Sequence, residues 1–176
     1  MPADENIAPI CCRVGLGYDI HLLAPGRKLV LAGVQIPCDR GLIGHSDGDV
    51  VLHAVIDALL GAAGLADIGE QFPDTDPAYK DADSRMLLLQ TLQKVKAKGF
   101  APLNVDTTVI AEKPRLRPHK PALRKQLAQL LNLNEYAVSV KAKTHEGLGE
   151  IGAGHAVACQ AIVSLTKIVD NNKQCC

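Results

Sequence analysis

Hydrophobic residues in this chain switch period repeatedly, from alternation to helical spacing and back, and this switching is what most limits the fold. Cys12–His21 alternates as a strand loosened by its glycines, and 28–34 (Lys-Leu-Val-Leu-Ala-Gly-Val) reads as a short second strand. A helix is predicted from about Asp47 toward Gly64, with Ser46-Asp47-Gly48-Asp49 as its start signal. The stretch from Gly64 to Tyr79 is too rich in Gly, Asp and Pro to be regular. A second helix runs from Asp83 or Ser84 through Lys98, with Gly99 as its stop. Val105–Ala111 is β-branched and strand-like, and Lys120–Leu131 is a third helix with Leu123, Leu127, Leu130 and Leu131 on one face. Val138–Lys143 and His155–Thr166 close the chain as strands. Strands alternating with helices, without repeats or an internal linker, make an α/β sandwich with helices packed on a sheet.

A length of 176 residues favours one domain with a substantial core. Lys+Arg 19 against Asp+Glu 19 leaves no net charge, which argues against a nucleic-acid or membrane-surface protein. Aromatic residues make up only 3%, so the core must be built from Leu, Val, Ile and Ala. No apolar run is long enough to span a bilayer, and the opening Met1–Asn6 lacks a hydrophobic signal region. The six cysteines (Cys11, Cys12, Cys38, Cys159, Cys175 and Cys176) form no zinc-knuckle spacing and read as reduced thiols of a cytoplasmic protein.

Chemistry enters with Asp19-Ile20-His21 and with His53. Residues i and i+2 of a strand project to the same face, so Asp19 and His21 point together. Asp49, His53 and Asp57, four apart, make one polar stripe on the first helix. Two histidines and a carboxylate hold a divalent cation while leaving a position open for a substrate oxygen.

Three more polar segments lie at element ends. The 67–76 run, Asp-Ile-Gly-Glu-Gln-Phe-Pro-Asp-Thr-Asp, suits hydroxyl groups or a cation, although such loops are usually solvated turns. The 111–119 run, Ala-Glu-Lys-Pro-Arg-Leu-Arg-Pro-His, puts Lys113, Arg115 and Arg117 before a helix, where they either cradle a phosphate or form a basic surface turn. The 141–149 run, Lys-Ala-Lys-Thr-His-Glu-Gly-Leu-Gly, joins hydroxyl, cation and carboxylate beside flexible glycines.

Taken in order, Gly-Tyr-Asp-Ile-His, His-Ser-Asp-Gly-Asp-Val-Val-Leu-His, Asp-Ile-Gly-Glu-Gln-Phe-Pro-Asp-Thr-Asp-Pro and Lys-Ala-Lys-Thr-His-Glu-Gly-Leu-Gly closely resemble the 2-C-methyl-D-erythritol 2,4-cyclodiphosphate synthases of the non-mevalonate isoprenoid pathway. The resemblance runs from about Arg13 to Leu165. It implies a mixed β-sheet with three main helices on one face, ferredoxin-like, assembling as a homotrimer. The expected organisation is a short extension over 1–12, a single domain over 13–167 and a tail over 168–176.

The implied activity converts 4-diphosphocytidyl-2-C-methyl-D-erythritol 2-phosphate into the cyclic diphosphate and CMP. By resemblance, zinc sits on Asp19, His21 and His53, and magnesium or manganese bridges the substrate diphosphate within reach of Glu146. His45 and Thr144 match positions proposed to stabilise the transition state, and Ser46 lies in a loop expected to close over substrate. Asp67, Ile68, Gly69, Phe72, Pro73, Asp74, Thr75 and Asp76 match the region holding the methylerythritol hydroxyls. Ala111, Glu112, Lys113, Pro114, Arg115, Leu116 and Arg117 match the cytidine and diphosphate segment, with Lys143, Thr144, His145 and Glu146 alongside. The resemblance also puts the active site between subunits, one bringing metal ligands and its neighbour the cytidine segment.

The chain departs from the commonest pattern at 150–155, Glu-Ile-Gly-Ala-Gly-His. Many members have an aromatic residue and an arginine there, around a trimer-axis cavity that in some relatives holds an isoprenoid diphosphate. Their absence implies poor or absent binding of that ligand. Two other readings compete with the cyclase. One is a metal-dependent nucleotide pyrophosphohydrolase releasing CMP, and the other is a catalytically silent nucleotide-binding trimer.

Overall fold

The computed structural model describes residues 12–79 and 81–168; most of the expected extension and tail, with Cys11, Cys175 and Cys176, lies outside them. In chain order the elements are β1 (Cys12–Pro25), β2 (Leu29–Leu31), β3 (Val34–Ile36), β4 (Arg40–Leu42), α1 (Val50–Ala63), α2 (Ile68–Gln71) and α3 (Ser84–Ala97). Then come β5 (Phe100–Ile110), α4 (Lys120–Leu131), β6 (Val138–Lys143), α5 (Gly149–Gly152) and β7 (Ala156–Lys167). Short 3₁₀ turns at Pro77–Tyr79 and Glu135–Ala137 complete the described chain.

Five strands form one mixed sheet in the order β4-β1-β7-β5-β6. β7 runs antiparallel to both β1 and β5, whereas β5 and β6 are parallel and need the α4 crossover between them. The three main helices, α1, α3 and α4, share one core with the buried side of this sheet. The layering is the open-faced one expected of a ferredoxin-like sandwich. The long strands and main helices follow β-α-α-β-α-β-β, with β7 inserted between β1 and β5, and so give the sheet its own strand order.

The helix side of β1 is built for close approach. Gly15, Gly17, Asp19 and His21 alternate onto that side, against Val14, Leu16, Tyr18, Ile20 and Leu22 on the other. A Cβ at Gly15 would lie 2.0 Å from the Ala58 carbonyl oxygen, and one at Gly17 would lie 1.9 Å from that of Ala54. The glycines therefore do not loosen the strand; they let the backbone of α1 rest on it.

The single strand predicted over 28–34 is instead the β2–β3 hairpin. Its turn residues Ala32 and Gly33 have φ of 52° and 74°, as a two-residue hairpin turn requires. Alanine disfavours that conformation, and the turn is held from outside. The Asp49 carboxylate accepts the N–H groups of Ala32 (2.9 Å) and Gly33 (2.6 Å). The same carboxylate caps α1 by accepting from Val51 and Leu52 (both 3.1 Å), so the helix starts at Val50, not Asp47. The 64–79 stretch, expected to be irregular, contains the one-turn α2.

On the far face of the sheet, Val14 (65% exposed), Leu16 (69%) and Ile162 (47%) stand uncovered in the single chain. Among the described residues one end of this face is closed, where Ile151 of α5 packs on Ile110, Ala156 and Ala158.

Candidate metal centre and flanking clefts

Because α1 rests on the glycines of β1, His53, next to Ala54 at the Gly17 contact, comes down beside Asp19 and His21. Asp19 Oδ2 lies 2.9 Å from His21 Nε2 and 2.9 Å from His53 Nδ1, and the two ring nitrogens are 3.0 Å apart. Among the described residues this is the one such three-ligand cluster. Bonds of about 2.0–2.2 Å to a tetrahedral ion would put the donors roughly 3.3 Å apart, so a small expansion of the triangle admits zinc or a similar cation. The donor set fits, with two imidazoles, one carboxylate and no fourth protein ligand among the described residues.

The surroundings prepare His53 for this role. Its ring is buried, and its far nitrogen Nε2 lies 2.9 Å from Ser84 Oγ and 3.0 Å from Ser46 Oγ. With Nε2 engaged there, the Nδ1 edge facing Asp19 and His21 must be filled by a proton or a cation. Burial raises the Asp19 carboxyl, but hydrogen bonds and charge from His21 and His53 outweigh it and hold the group well below the usual carboxylate range. His53 is opposed by burial too, yet Asp19 and the nearby Asp49 and Asp47 raise it above an ordinary histidine. Burial pushes Asp49 up to about 6, against the pull of its backbone N–H donors.

Asp57 is not a ligand. Its Oδ1 accepts the Ile68 N–H at 2.8 Å, while Asp67 accepts the Glu70 N–H at 2.9 Å, and together they fix the start of α2. Burial raises the Asp57 carboxyl. This anchored turn brings Ile68, Gly69, Phe72 and Asp74 to a cleft of about 340 Å³ shared with Asp19, His21, His45, Ser46 and His53. Phe72 is a wall more than a contact, since it is buried and meets the Tyr79 ring edge-to-face at 5.4 Å. Pro73, Thr75 and Asp76 do not line the cleft, and Asp76 is engaged with the Ala78 N–H at 2.9 Å.

The other predicted residues gather elsewhere. Ala111, Glu112, Pro114, Arg115, Leu116 and Arg117 line a second cleft with Lys143 and Thr144, while Lys113 turns to a neighbouring groove beside Cys38. Glu146 is exposed and accepts from Thr144 Oγ1 at 2.7 Å; His145 Nδ1 sits 2.7 Å from the Leu148 carbonyl oxygen. The two clefts share no lining residue. Asp19, Cys159, Val109 and Ala142 are in register across the sheet, so three strand spacings of about 4.8 Å, roughly 14 Å, separate the two regions. His45 and Thr144 are thus not brought together within one chain.

Sequence reasoning missed Ser84 and the side chain of Asp47 as parts of this site, along with the wall residues Tyr79 and Leu87. The Asp83-Ser84 pair signals only a helix start. Nothing in its spacing indicates that the hydroxyl meets a histidine 31 positions away.

Known proteins share this framework. A chain from Salinibacter ruber, 2-C-methyl-D-erythritol 2,4-cyclodiphosphate synthase, is 55% identical over 153 residues, 87% of this chain and 98% of its own length. The solved bifunctional IspDF from Campylobacter jejuni superposes with a TM-score of 0.87 at 44% identity, over 91% of this chain and 43% of that longer one. A CDP-bound 2C-methyl-D-erythritol-2,4-cyclodiphosphate synthase gives a TM-score of 0.81 at 40% identity, over 87% of this chain and 99% of that one. The YgbB family model matches residues 12–166, from the first residue of β1 to the next-to-last residue of β7, and the chain therefore belongs to the YgbB family.

Proposed function

We propose that this chain converts 4-diphosphocytidyl-2-C-methyl-D-erythritol 2-phosphate into 2-C-methyl-D-erythritol 2,4-cyclodiphosphate and CMP. The catalytic domain spans residues 13–167. The observation that carries the reading is the Asp19–His21–His53 triangle at the mouth of the α2 cleft, in a chain 54% identical to a Neisseria meningitidis synthase.

In the reaction, an oxygen of the substrate's 2-phosphate bonds to the β-phosphorus, and the bond from that phosphorus to the bridging oxygen breaks as CMP leaves. No protein nucleophile is required. The chain's task is to fold the substrate on itself, where effective molarities of about 10⁵–10⁸ M become available. Zinc or a similar ion on the triangle would supply charge and orientation to a phosphate oxygen, and magnesium or manganese near Glu146 would offset diphosphate charge. Ile68, Gly69 and Asp74, on the turn fixed by Asp67, would hold the methylerythritol hydroxyls, with Phe72 and the other walls of the cleft excluding water. His45 would donate to phosphate oxygens from the metal side, and Thr144 from the nucleotide side. Residues 111–117 with Lys143 would take the cytidine diphosphate.

This reading includes a homotrimer. The two clefts are separate in one chain, and the uncovered apolar face of β1 and β7 offers a surface for further copies. Facing clefts of adjacent subunits would complete each site.

Phosphorus NMR with the diphosphocytidyl substrate, zinc and magnesium tests the activity. Cyclic diphosphate and CMP, both lost with chelator, are the expected products. CMP with an open-chain diphosphate would mark a hydrolase instead, and no turnover by a zinc-loaded trimer would mark a binding module.

A further inference from the structure

The His53 ring is held from behind by a chain of polar groups that ends on a carboxylate. Ser84 is fully buried at the first position of α3. Its hydroxyl meets Asp47 Oδ1 at 2.5 Å and its backbone N–H meets Asp47 Oδ2 at 3.2 Å. Both oxygens of one carboxylate thus grip one serine. A carboxylate only accepts, so the Ser84 proton points at Asp47 and the remaining lone pairs of Ser84 Oγ face His53 Nε2 at 2.9 Å. The nitrogen must then be the donor, which leaves Nδ1 as the edge available to a ligand.

Asp47 is itself fastened: its N–H donates to the Ala82 carbonyl (3.0 Å), and the neighbouring His45 carbonyl accepts from the Asp81 N–H (2.8 Å). The loop before α1 and the start of α3 are therefore clamped around the ring. Ser46 Oγ joins at 3.0 Å from His53 Nε2 and 3.3 Å from Ser84 Oγ, but has no carboxylate to fix its proton.

We infer that Ser84 and Asp47 are positioning residues which set the tautomer and orientation of His53 and thereby the metal affinity of the site. This inference rests on the metal reading of the Asp19–His21–His53 triangle. Such outer partners of a metal-bound histidine are typically worth about 10–100-fold in affinity.

Asp47→Asn makes the sharpest variant. The amide keeps the volume and can still accept from the Ser84 N–H, while its NH₂ donates to the serine oxygen and releases the serine proton toward His53 Nε2. Zinc affinity, measured by competition with a chromophoric chelator, is expected to fall about 10–100-fold in Asp47→Asn and in Ser84→Ala. Melting of the metal-free proteins accompanies the titrations, because a merely structural role would lower the melting temperature and leave the affinity alone. That pattern would overturn the inference. Equal zinc affinity in the unaltered protein and in His53→Ala would overturn the metal reading and this inference with it. Histidine side-chain nitrogen NMR of the unaltered zinc-loaded protein needs no variant: a protonated Nε2 on His53 is expected, and a protonated Nδ1 would refute the assignment.

Discussion

Two carboxylates near His53, those of Asp19 and Asp49, sit in different surroundings, and together with the ring they set a pH dependence for the metal-free protein. Asp19 is depressed, so its contribution to stability is present above an ordinary carboxylate pKa and is lost only as pH falls through its lowered value. His53 is raised from 6.5, so its contribution is present below that value and is lost as pH rises through the higher one. Asp49, pushed up to about 6 from 3.8, binds its proton more tightly folded than unfolded, so it too costs stability as pH rises between those values. In chelator, the chemical denaturation midpoint should therefore decline as pH is raised from about 5 to 8. The part of that slope above 6.5 should vanish in His53→Gln; a midpoint that rises with pH would contradict the pairing. At the other end of the chain, Glu150 pairs with His155 at 2.9 Å. A carboxylate repels a diphosphate, so calorimetry with an isoprenoid diphosphate should show no stoichiometric binding. The candidate metal ligands are legible because Asp19 and His21 follow strand alternation and His53 lies on a helical stripe. Ser84 and Asp47 are not, because a hydroxyl behind a ring depends on how α1 and α3 meet.

At the scale of elements, the contact between β1 and α1 supports the metal centre. Gly17→Ala would drive a methyl group into the Ala54 carbonyl, with no flexible side chain to yield. Overpacking of this kind costs about 1–3 kcal/mol or more, and the displaced helix carries His53 with it. Both the melting temperature and zinc affinity should fall; unchanged zinc affinity would separate the packing from the site. Gly61, exposed on the same helix with open space around it, is the contrasting case. Gly61→Ala should stabilise the protein by about 0.5–1 kcal/mol, read from denaturation, with zinc binding unaffected. The predicted 120–131 helix and 138–143 strand match α4 and β6 residue for residue, because their periodicities are local and strong. The β2–β3 hairpin escaped because its turn contains an alanine at positive φ, stabilised by Asp49 from outside the segment. The three-residue β4 escaped because its pairing with the end of β1 leaves no period of its own.

For the whole molecule, the proposed sharing of one site between clefts of different copies makes a specific demand on mixtures. His53→Ala should be inactive through loss of metal, and a Lys113→Ala/Arg115→Ala double variant through loss of nucleotide binding. Dissociated and reassembled together, they should recover part of the activity, since some interfaces combine an intact cleft from each parent. No recovery from mixed trimers would place the whole site within one subunit. Leu16→Glu, on the uncovered face, should shift sedimentation toward monomer and abolish turnover while retaining the zinc site. The two faces of β1 thus carry separate duties in strict alternation: Gly15, Gly17, Asp19 and His21 on one, Val14, Leu16, Tyr18, Ile20 and Leu22 on the other. A slip of one residue against β7 would exchange them, forcing bulky side chains into the backbone of α1 and turning the ligands outward. Misregistration therefore carries its own penalty: a chain threaded wrongly cannot survive as a well-packed impostor that merely lacks metal, because the glycines that admit α1 and two of the three candidate ligands, Asp19 and His21, share one face of one strand.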